Sequence, residues 1–127
     1  MKVKWNCQYN VIITPQTYIE EELKEELSEI FKSLCALKKV KIIDGAITES
    51  HVHARLKISP EMAVDDFVLF LKAESERSLF EIHPELKSEI GVRFWERGYY
   101  VSTCGTFEEE EIVKYLKERE ESFEDEG

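Results

Sequence analysis

The sequence lacks a long apolar run, and its N-terminus lacks the apolar segment of a signal peptide. Because a transmembrane helix needs about 20 predominantly apolar residues, no membrane span is expected. Cysteines are also scarce, since Cys7, Cys35 and Cys104 are odd in number and widely spaced. Such cysteines are reduced thiols by default and pack as small apolar side chains. These features predict a cytoplasmic protein with no membrane partner.

The chain is also short of basic residues: 17 Lys and Arg face 27 Asp and Glu, for a net charge of −10 over 127 residues. A nucleic-acid partner is disfavoured by this balance, because phosphates are bound by Lys and Arg. The charge is uneven, however. Residues 106–127 hold ten acids and three bases, a net of −7, whereas residues 1–105 have a net of only −3. The acidity therefore weakens a DNA partner without excluding one.

Alternation of apolar and polar residues predicts four β-strands. Residues 2–13 alternate throughout, and Val40–Ile47 form a second strand with a bulge or an interruption at Asp44-Gly45. The third strand spans 51–58 and the fourth 94–104.

Helical spacing of apolar residues predicts three helices. The first follows a capping box, Thr17-x-x-Glu20, and carries an apolar stripe from Ile19 to Leu37. A second occupies about 64–82, and a third follows Gly105 with a second capping box at Thr106.

The order β-α-β-β-α-β with an extra helix predicts a ferredoxin-like α+β domain, with two helices on one face of an antiparallel sheet. The length suits one domain over residues 1–121, followed by an acidic, frayed tail at 122–127. The first and third strands are neighbours in this topology, so their outward side chains share one face. That face is predicted to be polar and mildly cationic, with Lys2, Lys4, Asn6, Gln8 and Asn10 beside His51, His53, Arg55 and Lys57.

His51-Val52-His53 places two imidazoles on one face of a strand, about 6.6 Å apart at the backbone. Both can converge on one metal ion, but two ligands are too few for a closed structural zinc site. A carboxylate, an amide or substrate oxygens would have to complete the site, which suits an open catalytic metal. The alternative is a pair of exposed histidines on a sheet.

Tyr115 lies in the last predicted helix, off the apolar stripe formed by Ile112, Leu116 and Phe123. A tyrosine in such a place is either a boundary residue with a wet hydroxyl or a nucleophile that attacks a phosphodiester. Its position alone does not choose between these roles.

Several segments together carry a resemblance to a known family. They are His51-Val52-His53 with Ile58-Ser59-Pro60, Leu71-Lys72 and Ser75 with Leu79-Phe80, the block from Phe94 to Gly105, and Ile112-Val113-Lys114-Tyr115-Leu116. With them the chain resembles, over nearly its whole length, the single-tyrosine HUH transposases of insertion sequences. That group includes the TnpA type and its REP-associated relatives, and HUH stands for His-hydrophobic-His.

The resemblance implies a metal-dependent nuclease that cuts and rejoins single-stranded DNA. His51 and His53 would hold Mg²⁺ or Mn²⁺, and Tyr115 would attack to leave a 5′-phosphotyrosine and a 3′-hydroxyl. It also implies recognition of DNA hairpins and a homodimer in which each tyrosine helix serves the partner's histidines.

The chain departs from the family pattern at the third metal ligand. Relatives usually carry Gln four residues after the tyrosine, whereas this chain has Arg119, and a guanidinium is not a plausible ligand. Glu118 and Glu111 are the candidates to replace it.

Two further departures lie before the first histidine and on the second helix. Ser50 stands where many relatives have Asp, and Ala73-Glu74 stand where they often have Gly-Lys. The remaining candidate DNA contacts are Lys2, Lys4, Arg55, Lys57, Lys72, Arg93 and Arg97. Two alternatives stay open: a diverged or domesticated relative that binds nucleic acid or dimerises without transposing, and a plain ferredoxin-like dimerisation or ligand-binding module.

Overall fold

A computed structural model describes residues 5–91, 93–103 and 113–118, without the side chains of 88–90. Four strands form one sheet: β1 (Gln8–Ile13), β2 (Lys41–Ile47), β3 (Val52–Lys57) and β4 (Tyr100–Thr103). Their order is β2-β3-β1-β4, and every neighbouring pair is antiparallel. The predicted ferredoxin-like α+β arrangement is confirmed.

Three helices connect the strands: α1 (Glu21–Leu37), α2 (Val64–Ile82) and a short α3 (Glu85–Ile90), which the sequence pattern does not predict. Residues 113–118 form a further helical segment that includes Tyr115. Within these described ranges, no helix combines the length and the apolar character needed to cross a bilayer.

The core lies between the sheet and the two long helices. The buried stripe of each helix packs on one sheet face, in a cluster that includes Leu27, Phe31, Phe67, Leu79, Val11, Ile13, Val52 and Leu56. Cys35 belongs to this cluster as predicted, and burial raises the pKa of its thiol to about 11. The opposite face of the sheet therefore carries the residues that alternate with these.

The capping box predicted for the first helix is wrong. The helix begins at Glu21, and its N-cap Glu20 makes no side-chain capping hydrogen bond. Ile19 instead precedes the helix, is 1% exposed and donates its N–H to the carbonyl of Glu49 at 2.6 Å. This contact between Ile19 and the β2–β3 connection, and not the local capping sequence, therefore sets the path of the chain before the helix. The predicted stripe also ends too late, since Leu37 is 70% exposed.

The fourth strand is shorter than predicted. Residues 94–99 are not part of a strand, and the only pairing described for them is a bridge between Trp95 and Pro15. The Lys72 ammonium group donates to the carbonyls of Glu96 and Gly98, each at 2.8 Å, and holds this segment on α2.

The first strand also begins later than predicted, at Gln8. Residues 5–7 have no regular structure, and residues 2–4 lie outside the described ranges. The predicted irregularity at Asp44 is confirmed, since the β2–β3 register shifts between Ile42 and Asp44. The capping box at Thr106 and the predicted tail at 122–127 lie outside the described residues.

Candidate active site

The candidate site lies on the sheet face opposite the long helices. Val52 and Leu56 are buried in the core, so the alternating residues His53 and Arg55 point to the other face. Ile12 pairs with His53 on one side and with Tyr100 on the other. Side chains of directly paired residues share a face, so His53, Ile12 and Tyr100 form one row across the sheet.

His51 immediately precedes β3, and its ring is held from the Nδ1 side. Nδ1 lies 2.9 Å from the Thr48 hydroxyl and 3.2 Å from the Ser50 hydroxyl. The main chain closes the same turn, because Thr48 N–H donates to the His51 carbonyl at 2.9 Å. Ser50, which stands where the resembled family often has Asp, therefore contacts the ring.

His53 is held from its other ring nitrogen. Nε2 lies 3.2 Å from Oδ1 of Asn10, a residue of β1 that is 1% exposed. Burial lowers the pKa of His53, with Asp44 opposing this and Arg55 adding to it. The imidazole is therefore mainly neutral near pH 7, which is the form that binds a metal ion.

Tyr115 lies over the same sheet face. Its ring contacts that of Tyr100, with the centroids 5.2 Å apart and the planes at 32°. Burial raises the pKa of its phenol, and a hydrogen bond with the Thr14 side chain acts to lower it. Tyr115 is thus half-buried, and its hydroxyl faces Thr14, the residue that follows β1.

The register brings this hydroxyl towards the histidine pair. Ile13 pairs with Val52. In this antiparallel pair Thr14 follows Ile13 and His51 precedes Val52, so the two residues come next in the same register. Opposed residues of an antiparallel pair have Cα atoms about 4.5–5.5 Å apart. Continuation of this register places Thr14, which faces the Tyr115 hydroxyl, opposite His51, and Tyr100, which contacts the Tyr115 ring, lies in the row of His53.

Backbone hydrogen bonds between residues 14–16 and residues 94–96 fix the position of Thr14. Glu96 N–H donates to the Thr14 carbonyl, and Gln16 N–H donates to the Phe94 carbonyl, both at 2.8 Å. The Thr14 hydroxyl also lies 3.5 Å from Oε2 of Glu96. Thr14 is buried, so this side of the site is built into the fold.

The described residues do not bring a third metal ligand together with the two histidines. The described ranges contain no group of three His, Cys, Asp or Glu side chains able to hold a metal ion, and Glu118 is exposed. Glu111 and Arg119 lie outside those ranges. Two half-buried imidazoles, with the pKa of His53 lowered, still fit an open site whose other positions would go to water and phosphate oxygens.

The predicted DNA contacts are not all gathered on this face. Arg55 and Lys57 lie on it, and the Lys57 nitrogen lies 5.1 Å from the centre of the Trp5 ring. Arg93 and Arg97 are exposed, Lys72 is bound to the carbonyls of Glu96 and Gly98, and Lys2 and Lys4 lie outside the described residues.

Asn10, Thr14 and Thr48 hold the candidate site and are not singled out from the sequence. Alternation places Asn10 on the histidine face, but it gives no sign of the contact with His53. Thr14 precedes Pro15 and is seen only as the end of a strand. Each contact depends on the register between strands, which the pattern of one strand does not fix.

Comparison with known proteins points to one family. The family described as "Transposase IS200 like" matches residues 3–119 of the chain. The transposase for insertion sequence element IS200 of Salmonella typhimurium is 33% identical over 124 residues, covering 92% of this chain and 81% of that protein. The ISDra2 transposase TnpA of Deinococcus radiodurans is 30% identical over 97 residues, covering 76% of this chain and 69% of that protein.

Solved structures show the same fold. A crystal structure of a protein assigned as a transposase of Deinococcus radiodurans R1 has a TM-score of 0.85 at 22% identity, and the match covers 94% of this chain and 95% of that one. A REP-associated tyrosine transposase bound to a REP hairpin has a TM-score of 0.59 at 8% identity, covering 89% of this chain and 67% of that one.

Proposed function

The chain belongs to the IS200-like transposase family, and we propose that it cleaves and rejoins single-stranded DNA through a covalent link between Tyr115 and a 5′-phosphate. The observation that carries this proposal is the position of Tyr115. Its ring contacts that of Tyr100, and its hydroxyl faces the Thr14 side chain, on the sheet face that bears His53. The proposed nucleophile and the two proposed metal ligands thus share one surface.

Cleavage would be a displacement at phosphorus. The Tyr115 oxygen forms a bond to phosphorus as the bond to the 3′-oxygen breaks, and the leaving oxygen takes up a proton while the phenol loses one. The product is a 5′-phosphotyrosine with a free 3′-hydroxyl. The ester bond is exchanged and not hydrolysed, so attack by a 3′-hydroxyl on the phosphotyrosine rejoins a strand.

The surrounding residues support this step. Mg²⁺ or Mn²⁺ held by His51 and His53 would supply charge stabilisation at the scissile phosphate. Burial keeps His53 neutral, and the Thr48 and Ser50 hydroxyls hold the ring of His51. Thr14 donates to the Tyr115 oxygen once its proton has left, which opposes the effect of burial on the phenol.

We also propose that the substrate is a DNA hairpin and that the protein acts as a homodimer. A hairpin is proposed because the REP-associated tyrosine transposase of the same fold is bound to a REP hairpin. Phosphates would contact the histidine face through Arg55 and Lys57, with Arg93, Arg97, Lys2 and Lys4 as further candidates.

The test is formation of a protein–DNA adduct that survives denaturation. The protein is incubated with Mn²⁺ and single-stranded oligonucleotides that contain the hairpin ends of the element, and the products are separated on a denaturing gel. Tyr115→Phe should abolish the adduct, because it removes only the hydroxyl. Tyr18→Phe is the matched control, since Tyr18 is exposed and should leave the adduct unchanged.

His51→Ala should abolish metal-dependent cleavage while DNA binding persists. An adduct formed by Tyr115→Phe, or full cleavage by His51→Ala, would overturn the assigned site. Binding of hairpin DNA without any adduct would favour a diverged relative that binds DNA without transposing. That second candidate is favoured by Arg119, which stands where relatives usually carry a Gln ligand and cannot itself bind a metal ion.

A further inference from the structure

We propose that Asn10 is a positioning residue for His53, fixing the orientation and the tautomer of its ring so that Nδ1 carries the lone pair for the metal. This inference rests on the proposed function to the extent that His53 is a metal ligand there. It assigns a role to a residue that neither the motif nor the family match singles out.

The contact follows from the sheet register. His53 pairs with Ile12, so Asn10, two residues earlier on β1, lies on the same face and diagonally across from His53. Diagonal neighbours have Cα atoms about 7–8 Å apart, a gap that an imidazole and an amide can bridge. The observed distance from His53 Nε2 to Asn10 Oδ1 is 3.2 Å.

The direction of the hydrogen bond decides the tautomer. An amide oxygen is only an acceptor, so Nε2 of His53 must carry the proton that it donates to Oδ1. In a neutral imidazole the other nitrogen then bears the lone pair, and here that is Nδ1. Metal-binding histidines commonly donate their second nitrogen to an oxygen, which holds the ring and makes it a better ligand.

The burial of Asn10 argues against a purely structural role. Its β1 neighbours Val11, Ile12 and Ile13 are all buried apolar residues, and Asn10 itself is 1% exposed. Its Nδ2 has no hydrogen-bond partner among the described residues. A buried amide with an unsatisfied donor costs stability that an apolar residue would not. The Asn10 amide therefore contributes little to the stability of the fold, whereas it supplies the hydrogen-bond acceptor of the His53 ring.

Two substitutions and a matched control test the role in metal binding. Asn10→Leu has a similar branched shape but no acceptor, and Asn10→Asp keeps an acceptor oxygen. Ser102→Ala is the control, because Ser102 pairs with Asn10 in the same row and its buried hydroxyl also has no partner in the part of the chain that the structure describes. We expect Asn10→Leu to weaken Mn²⁺ binding at least about tenfold, Asn10→Asp to restore most of it, and Ser102→Ala to leave it unchanged.

Thermal unfolding separates positioning from structural support. Asn10→Leu removes one unsatisfied buried donor but leaves Nε2 of the half-buried His53 without its acceptor, so we expect the unfolding temperature to stay close to that of the unaltered protein. A positioning role predicts weaker metal binding with undiminished stability. Lower stability with unchanged Mn²⁺ affinity would overturn the inference.

Nitrogen-15 spectra of the histidine rings test the tautomer directly in metal-free protein. We expect His53 of the unaltered protein to show a single tautomer, with a slowly exchanging proton on Nε2, and we expect that proton to exchange rapidly in Asn10→Leu. A His53 protonated on Nδ1, or identical ring spectra for the two proteins, would overturn the inference.

These measurements are independent of DNA cleavage. If the unaltered protein forms no covalent adduct but the Mn²⁺ and ring measurements turn out as expected, the proposed function fails and the role of Asn10 stands. If the adduct forms but Asn10→Leu binds Mn²⁺ normally, only the role of Asn10 fails. If the unaltered protein does not bind Mn²⁺, the inference is overturned.

Discussion

At the scale of single residues, Thr14 links Tyr115, the candidate nucleophile, to the rest of the site. Its hydroxyl faces that of Tyr115, where it acts to lower the pKa of the phenol, and it lies 3.5 Å from the carboxylate of Glu96. A hydroxyl has one proton to donate. It can donate to Glu96 while the phenol is protonated and turn to the phenolate oxygen once that proton has left. Thr14 is thereby suited to stabilise Tyr115 in its attacking form.

Replacing Thr14 with Val keeps the shape of the side chain and removes this donor. A hydrogen bond to a charged group contributes about 1.5–3 kcal/mol, so adduct formation should slow about tenfold or more. The rate is measured at saturating DNA and Mn²⁺, with Thr17→Val at an exposed position as control. An unchanged rate in a folded Thr14→Val protein would mean that the hydroxyl has no part in activating Tyr115.

Strand alternation predicts correctly that Asn10, His53 and Arg55 lie opposite the helices. It does not predict that Asn10 and Ile12, at 1% and 0% exposure, are covered on that face. Tyr115 contacts the same face at Tyr100 and Thr14. Tertiary packing decides the position of a helix late in the chain, and the alternation of a single strand carries no information about that packing.

At the scale of elements, α2 and the segment before β4 act as one unit. Trp95 donates its indole N–H to the Ser75 hydroxyl at 2.9 Å, and the Glu76 carboxylate accepts the N–H of Phe94. The sequence pattern predicts α2 correctly because its apolar stripe is regular. It misassigns residues 94–99 as strand, because the contacts that hold them are to residues about 20 positions earlier.

The far end of α2 is held by His83, which contacts carboxylates of two other elements. Its Nε2 is bonded to Glu26 of α1, and its Nδ1 lies 3.1 Å from Glu85 of α3. The hydrogen bond to Glu26 raises the pKa of His83, with that to Glu85 acting in the same direction. The protonated ring donates to both carboxylates and so joins three helices.

This contact predicts how stability depends on pH. The folded pKa of His83 is raised above its unfolded value of 6.5, so its contribution is fully present below pH 6.5 and is lost as the pH rises through the folded pKa. His83→Gln should therefore lower the melting temperature more at about pH 5.5 than at about pH 8.5.

Both proteins are measured in the same two buffers, so that other titrating groups affect them equally. The critical quantity is the difference in melting temperature between the two proteins. An equal difference at the two pH values would show that the charge of His83 does not support the helix contacts.

For the whole molecule, the order of strands and helices is the feature most fully predicted from the sequence. The alternating strands and the two long apolar stripes are sufficient for the topology, and the topology places the histidine face. The contact of Tyr115 with that face cannot be predicted from strand alternation and apolar stripes. It depends on a helix that lies beyond the last strand, and residues 104–112 separate the two in the chain.

The proposed dimer adds a second way to bring Tyr115 to the histidines. The single chain places Tyr115 against its own Thr14 and Tyr100. In a symmetric dimer the partner offers identical surfaces, so an exchanged helix makes the same contacts across the interface. Exchange therefore preserves the geometry of the site and changes only which chain becomes linked to DNA.

A mixture of two inactive proteins identifies that chain. His51→Ala retains the tyrosine and Tyr115→Phe retains the metal site, and one of them carries a tag that separates the two on a gel. If the helix is exchanged, mixed dimers have one complete site, and about a quarter of the normal sites recover after random subunit exchange. We expect the adduct on the His51→Ala chain, because that chain supplies the tyrosine. No adduct, with DNA binding and subunit exchange intact, would show that Tyr115 acts within its own chain, because neither chain alone then holds a complete site.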